Sequence, residues 1–374
     1  MNREEQCQSV ENSNPASSNL DTNQVILHKA ANSHPTASFD KPIFNGRLYS
    51  NPSTFTAMPG LLSYLKFKWE KLLHGPPKLP TVAELEKNLP VLSPRFNLNT
   101  KLSATWLGHA TLFIHLDDIS FITDPVWANR SAPTYWKGYE RYRPSPCAID
   151  DLPPLDFVLI SHNHYDHLDS QTVSVLAGRF PHIKWFVPEG LGKWLRARIE
   201  SNQIYEISWG EHASFLVEGE AYQIWCIPAQ HWSSRNIILD RNISLWCGWV
   251  VVGPSHKFYY AGDTGFCKEV FRKLGNNLGP FDLSAIPIGC YAPRWFAKSM
   301  HIDPSEAVEI HLLTQSIHTI GVHWGTYNMG SMEPYLEPAT ALYEAAAKKG
   351  ITPQHIFTLP HGGSWCMEQI GSDN

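Results

Sequence analysis

Cysteine is sparse in this chain of 374 residues: seven thiols, an odd number, lie scattered at Cys7, Cys147, Cys226, Cys247, Cys267, Cys290 and Cys366 with no C-x-x-C pair. That spacing excludes a disulfide framework and points to a reducing setting. Positive charge is not in excess either, with 30 Lys and Arg against 35 Asp and Glu and a net charge of −5. No broad basic surface exists for nucleic acid, which is not an expected partner. No run approaches the roughly 18 apolar residues of a membrane span. The opening stretch MNREEQCQSVENSNPASSNLDTNQ lacks the apolar core of a secretory signal. The expected setting is therefore intracellular, and any contact with a membrane is peripheral and from one side. A fixed solenoid period is also missing.

What the chain does have is core material and histidine: 43% hydrophobic residues, 14 Trp and 18 His. Residues 1–40 are rich in Ser, Asn, Gln and Thr and read as a disordered polar tail. Residues 41–100 form a lead-in punctuated by proline. Within it Leu61, Leu62, Leu65, Trp69, Leu72 and Leu73 recur near helical spacing with lysines between them. This predicts one amphipathic helix, docked on the domain core or a second copy of the chain, or laid on a lipid surface. From 101 to 367 short apolar runs alternate with turn residues, and helical patterns such as SEAVEIHLLTQ fall between the later ones. Many strands with interspersed helices predict one layered α/β domain with two sheets.

The densest chemistry is in ISHNHYDHLDS, residues 160–170, directly after the apolar run DFVLI. A polar loop closing a buried strand explains one histidine there, but not His162, His164, Asp166 and His167 together. Imidazole nitrogens and carboxylate oxygens are zinc donors. Four such groups exceed the needs of one catalytic ion with an open position, so partners for a second ion are expected elsewhere. QIWCIPAQH ends on His231, KFYYAGD on Asp263, and TIGVHWG carries His323. Each follows an apolar run, so strand ends at one sheet edge are expected to assemble the site. A His/Asp set of this kind also accepts iron or manganese.

The motifs HNHYDH, AQHW, AGDTG and HWGT, in this order, resemble the metallo-β-lactamase superfamily. The segments TWLGHATLFI, CYAPRWF and HIDPSEAVEIH narrow the resemblance to the N-acylphosphatidylethanolamine-hydrolysing phospholipase D family, over roughly residues 45–365. The resemblance implies an αβ/βα four-layer sandwich with two zinc ions per chain. It assigns His162, His164 and His231 to one zinc, Asp166, His167 and His323 to the other, and Asp263 to both. Asp166 and Asp263 would then be the catalytic carboxylates, holding the metals that activate a water. The implied substrate is N-acylphosphatidylethanolamine at a membrane surface, cut to an N-acylethanolamine and phosphatidic acid. A lactonase or phosphodiesterase acting on a small soluble substrate is the alternative on the same metals.

The resemblance also places Tyr165 and His301 against the phospholipid head region. His109 in LGHAT and Asp124 in TDP follow early apolar runs and are read as hydrogen-bonding partners of the ligand histidines. Arg294 is either a phosphate partner or a surface ion pair, and Asp303 or Ser305 is a helix cap. His311, His318 and His355 are read as structural. Met300 stands where family members carry Gln.

Overall fold

Neighbouring residues along the central strands fall alternately into two apolar clusters. Leu112 and Ile114 belong to one and Phe113 to the other; Phe157 and Leu159 oppose Val158; Phe186 opposes Trp185 and Val187. Successive side chains of a strand point to opposite faces, so a sheet that is apolar on both faces must be covered on both. The computed structural model, which describes residues 24–29, 39–75, 77–134, 137–236 and 239–367, shows how this is done.

Seven strands form one sheet, in the order Ile204–Ile207, Lys184–Pro188, Phe157–Leu159, Ile119–Thr123, Thr111–Leu116, Leu102–Gly108, Ser364–Cys366. Eight form the other: Ile26–His28, His212–Val217, Glu220–Ile227, Gly248–Val252, Lys257–Tyr260, Phe281–Pro287, Ser316–Val322 and Ile356–Phe357. The sheets face one another through large aromatics. Phe121 meets Phe258 at 5.7 Å between ring centroids, and Phe157 meets Phe215 at 6.1 Å. Outside the first sheet lies the helix Ser170–Arg179, with Val173 and Leu176 packed among Val158, Ile160 and Trp185. Outside the second lie Lys268–Leu278, Pro304–Leu313 and Glu337–Lys348, which bury Leu274, Ile310 and Leu342. The result is the αβ/βα four-layer sandwich.

The strand Phe157–Leu159 runs parallel to Ile119–Thr123 and Lys184–Pro188, and Lys257–Tyr260, Phe281–Pro287 and Ser316–Val322 are parallel in the other sheet. Their C-terminal ends come to a common edge. The predicted site residues therefore leave the ends of strands in both sheets. The expectation of a single sheet edge is corrected: residues 162–167 follow a strand of one sheet, while His231, Asp263 and His323 follow strands of the other.

The polar tail also needs correction where it is described. Ile26–His28 pairs antiparallel with His212–Val217, and Phe39 is 6% exposed. Composition cannot reveal this, because the partner is a strand almost two hundred positions away. The rest of residues 1–40, apart from 24, 25, 29 and 40, lies outside the described residues.

The amphipathic helix spans Leu61–His74 and buries no residue fully. Phe67 stacks on Phe296 at 4.6 Å, Trp295 Nε1 donates to Glu70 at 3.0 Å, and Lys71 donates to the Gly330 carbonyl. Its other face is open, with Leu62 82% and Leu72 74% exposed. Among the described residues no helix is long and apolar enough to cross a membrane.

Trp249 ties the two sheets together near the site. It is fully buried, and its indole donates 2.9 Å to the Ile160 carbonyl, directly before the ligand loop. Trp249→Ala should cost about 3–5 kcal/mol, the usual result of emptying a large core site. Chemical denaturation of the purified variant checks this, and a loss below about 1 kcal/mol would show that the sheets are held elsewhere.

Candidate metal centre

The loop from Ile160 to Asp169 is fixed at both ends. At its start Ser161 donates from N and Oγ to Asp124, at 2.7 and 2.5 Å. At its end Asp169 caps the helix Ser170–Arg179, accepting from Thr172 N at 3.0 Å. Arg235 crosses the middle, donating to the carbonyls of Asn163 (3.2 Å) and Leu168 (2.6 Å) while stacking 3.8 Å over the Tyr165 ring. The side chains between these anchors have little freedom to rearrange.

They form two donor sets. His162, His164, His231 and Asp263 offer atoms within 4.8 Å of one another, as do His109, Asp166, His167 and His323. In the first, His162 Nε2 and His231 Nε2 lie 2.8 and 3.3 Å from His164 Nδ1, and 3.9 and 3.7 Å from Asp263 Oδ2. In the second, His167 Nε2 is 3.5 Å from Asp166 Oδ2 and 3.3 Å from Asp263 Oδ2; His323 Nε2 is 3.6 Å from Asp166 Oδ2 and 3.2 Å from Asp263 Oδ1. Donors about 2.0–2.2 Å from a tetrahedral ion are roughly 3.3–3.6 Å apart, so the second set has the spacing of a coordination sphere. Asp263 reaches both sets through its carboxylate.

Unpaired atoms point the same way. His167 Nε2, His323 Nε2 and Asp263 Oδ1 are buried without a hydrogen-bond partner. Two imidazole nitrogens lie 3.3 and 3.2 Å from the oxygens of one carboxylate without a hydrogen bond between them. The residues fit a pair of cations.

The outward nitrogens are oriented. His167 Nδ1 lies 2.6 Å from Asp124 Oδ2, His231 Nδ1 3.0 Å from the Met300 carbonyl, and His162 Nδ1 2.9 Å from Ser161 Oγ. Each leaves the other ring nitrogen facing the site. Because a backbone carbonyl holds His231, the Met300 side chain has no part in that bond. Asp124 also accepts from Tyr260 Oη at 2.5 Å, so four donors surround one buried carboxylate. His109 departs from its expected role: its Nε2 lies 3.1 Å from Asp166 Oδ2, so it supports a carboxylate, and its ring lies against His323 at 4.1 Å. His109, Asp124 and His323 all have left-handed backbones, with φ of 53°, 33° and 61°.

His301 belongs to the site wall, its Nδ1 3.8 Å from Asp263 Oδ2 and its ring 5.2 Å from His231. Tyr165 is half-buried under Arg235. Arg294 is resolved in favour of the ion pair: it meets Glu306 at 2.7 Å and Asp303 at 3.2 Å, and donates to the His301 carbonyl. Asp303 is the helix cap, in a capping box with Glu306. His311 is buried against Thr319, 2.8 Å away. Sequence reading missed Ser161, Tyr260 and Arg235. Ser161 and Tyr260 were legible only as strand residues, and Arg235 only as one basic residue after AQHW.

Electrostatics divide the site. Burial first, then neighbouring imidazoles, holds His162 well below its usual range; burial brings His164 to about 4 and His231 to about 3. Burial also lowers His109 and His301 to about 3. For His323 burial is outweighed by Asp263 and Asp166, which raise it to about 9, and His167 is held well above its usual range by Asp263, Asp166 and Asp124 against the same burial. Burial opposes ionisation of Asp166 and Asp263, but the imidazoles outweigh it and keep both well below the carboxylate range. Protons on His167 and His323 thus supply the positive charge that a bound cation would.

For chelator-treated protein the signs are fixed. The lowered histidines refuse protons that the unfolded chain accepts below about pH 6.5, so stability falls as pH drops from there. The raised His323 contributes fully below about pH 6.5, and its contribution is lost as pH rises through about 9. Melting temperature should crest near pH 6.5 and fall on both sides. Metal-loaded protein should lack the alkaline limb, since cations replace the proton. Thermal melts from about pH 5 to about pH 9.5 check this, and a flat profile after chelation contradicts it.

Residues 120–324 match the family model described as a beta-lactamase superfamily domain. The chain is 45% identical over 339 residues to N-acyl-phosphatidylethanolamine-hydrolyzing phospholipase D 1 of Caenorhabditis elegans, covering 87% of this chain and 94% of that protein. It is 32% identical to the mitochondrial N-acyl-phosphatidylethanolamine-hydrolyzing phospholipase D of Saccharomyces cerevisiae, over 88% of this chain and 66% of that one. Among solved structures, the isothiocyanate hydrolase from Delia radicum gut bacteria superposes with a TM-score of 0.54 at 18% identity, covering 71% of this chain and 99% of that one. The metallo hydrolase Igni18 of Ignicoccus hospitalis gives 0.53 at 18%, over 72% and 99%. Those two likenesses carry the fold alone. Taken with the first relative's coverage, the matches establish that the chain belongs to the metallo-β-lactamase superfamily of metal-dependent hydrolases and, within it, to the N-acylphosphatidylethanolamine-hydrolysing phospholipase D family.

Proposed function

We propose that this hydrolase is a two-zinc phosphodiesterase that cuts N-acylphosphatidylethanolamine to an N-acylethanolamine and phosphatidic acid. The observation that carries the choice of substrate is the 45% identity, along 94% of its length, to a relative named for that hydrolysis. Zinc suits the all-imidazole and carboxylate donors. His162, His164 and His231 would hold one ion, Asp166, His167 and His323 the other, with Asp263 shared. When bound, such a pair supplies a water nucleophile near neutral pH and positive charge facing the phosphate oxygens.

The chain's own residues do the rest. Asp263 and Asp166 stay ionised, so both remain ligands instead of carrying protons. His109 holds Asp166 in place, and Asp124 holds His167. His301 and Tyr165 flank the ligands, where a phosphodiester and its ethanolamine arm would lie. Two carboxylates against two divalent cations leave net positive charge, which favours an anionic diester.

A lipid substrate requires contact with a bilayer. The open face of Leu61–His74, with Leu62, Leu65, Trp69 and Leu72 exposed and the exposed Lys66 and Lys68 on the same helix, suits a helix in the headgroup region. The protein would then be peripheral to the membrane, and a second copy of the chain is the competing occupant of that face.

Two experiments test the chemistry. Metal analysis should find close to two zinc per chain; Asp263→Ala should lower both, and His323→Ala mainly one. Hydrolysis in oxygen-18 water should label the phosphate of phosphatidic acid and leave the N-acylethanolamine unlabelled, with no phosphatidylethanol formed when ethanol is added. Label in the N-acylethanolamine, or diacylglycerol as product, would show that a different bond breaks.

Changing Leu62, Leu65 and Trp69 together to polar residues should reduce co-sedimentation with substrate-containing vesicles while metal content stays the same. Unchanged vesicle binding with loss of self-association would assign the face to a second copy instead.

A further inference from the structure

One group of polar atoms is left over once the metal centre is accounted for. Arg141 Nη1, Arg143 Nε, Ser145 Oγ and His361 Nδ1 are buried and have no hydrogen-bond partner. They come from two segments that touch. A methyl group on Gly108 would sit 3.2 Å from the His361 ring and 3.4 Å from Arg141 Nη1, so both flank the same stretch of backbone. On Gly362, next to His361, a methyl would sit 3.0 Å from Pro146, the neighbour of Ser145. The His361 side chain is fully buried, and its pKa is down at about 3, through burial first and then through the nearby charges of Arg141 and Arg143.

Arg141 is held rigidly with one end spare. Its Nε donates to the Ala128 carbonyl (2.9 Å) and Tyr327 Oη (3.1 Å), and Nη2 to the Val126 carbonyl (2.6 Å). These acceptors are neutral, and among the described residues neither Arg141 nor Arg143 pairs with a carboxylate. A guanidinium removed from water without a counter-charge is costly, and an anion relieves that cost. His361 can add a donor: Thr326 Oγ1 lies 3.0 Å from Nε2 and 3.2 Å from the Trp324 carbonyl, and its one proton serves one or the other. With the threonine donating to Nε2, the imidazole presents Nδ1–H.

We propose that Arg141, Arg143, Ser145 and His361 form a binding site for a small phosphate-type oxyanion, distinct from the metal centre. Forked guanidinium N–H groups match tetrahedral oxyanions, and the hydroxyl and imidazole complete a mixed donor set. Arg141, Arg143 and Ser145 are half-buried as residues while the four unpaired atoms are buried, so the site lies just beneath the surface. It reaches the metal centre through one chain of contacts: His361 to Thr326, Thr326 to His109 N at 2.6 Å, and His109 to Asp166. The phosphate group could be free phosphate or the monoester head of phosphatidic acid.

Calorimetric titration of the full chain with inorganic phosphate, at constant ionic strength, separates this site from the metals. In chelator-treated protein one saturable phosphate site should persist. Arg143→Gln should weaken it roughly tenfold or more and leave zinc content unchanged when the variant is metal-loaded. Replacing phosphate by dihexanoyl phosphatidic acid identifies the source: binding at the same Arg143-dependent site names the lipid head, and binding of phosphate alone names the free ion. Crystals of the unaltered protein soaked in tungstate give an answer even if Arg143→Gln does not fold, since an anomalous peak between Arg141 and Arg143 upholds the site. Ordered water alone at that position, together with no chelator-resistant phosphate binding, overturns it. Failure here would leave the metal stoichiometry and the oxygen-18 result untouched.

Discussion

Two carboxylates, Asp166 and Asp263, are buried side by side, and this requirement for positive charge organises the site. Neither can remain ionised away from water without compensation. The surrounding imidazoles supply it either by carrying protons, as His167 and His323 do, or by presenting lone pairs to cations. The two halves differ accordingly. The half around His162, His164 and His231 is proton-poor and ready for a metal. The half around His167 and His323 must release protons before a metal can enter, so its occupancy is tied to pH.

Holding that arrangement costs the backbone something. His109, Asp124 and His323 adopt left-handed conformations that non-glycine residues rarely take, each worth about 1–3 kcal/mol. All three sit just past strand ends, where two packed sheets fix the chain on either side. A backbone bond of 2.9 Å from His323 N to the His109 carbonyl joins the sheets where the ligands emerge. The large aromatic core between the sheets offsets the strain, and the strained residues put donors where extended chain could not.

Much of this was legible in the sequence because metal donors follow apolar runs, and strand ends are rigid places from which to project side chains. A layered α/β domain with two sheets followed from the many short apolar runs with helices between them, the four-layer sandwich came with the family resemblance, and the set His162, His164, Asp166, His167, His231, Asp263 and His323 followed from residue type and position. The division of the donors between two sheets was not legible, since local pattern does not say which strands pair. Nor was the strand Ile26–His28, whose only support is a partner far along the chain. Ser161, Tyr260 and Arg235 were hidden for a related reason. A serine, a tyrosine and an arginine are ordinary at strand ends and in loops, and only the fold shows that they converge on Asp124 or on the ligand loop. Arg294 carried two meanings in sequence, and proximity to Glu306 and Asp303 selected one.

The helix Leu61–His74 is attached to the rest of the molecule at few points. Phe67 stacks on Phe296, and Phe296 lies in the short turn whose Arg294 braces the backbone of His301. Lys71 anchors the same helix to Gly330, in the segment that carries Glu333, which holds the backbone of left-handed Cys290. Force applied to the outer surface of that helix thus has two short mechanical routes inward, one to the wall beside Asp263 and one to the neighbourhood of His323. A body seated on that surface would press on the metal centre as well, which would tie binding there to events among the ligands.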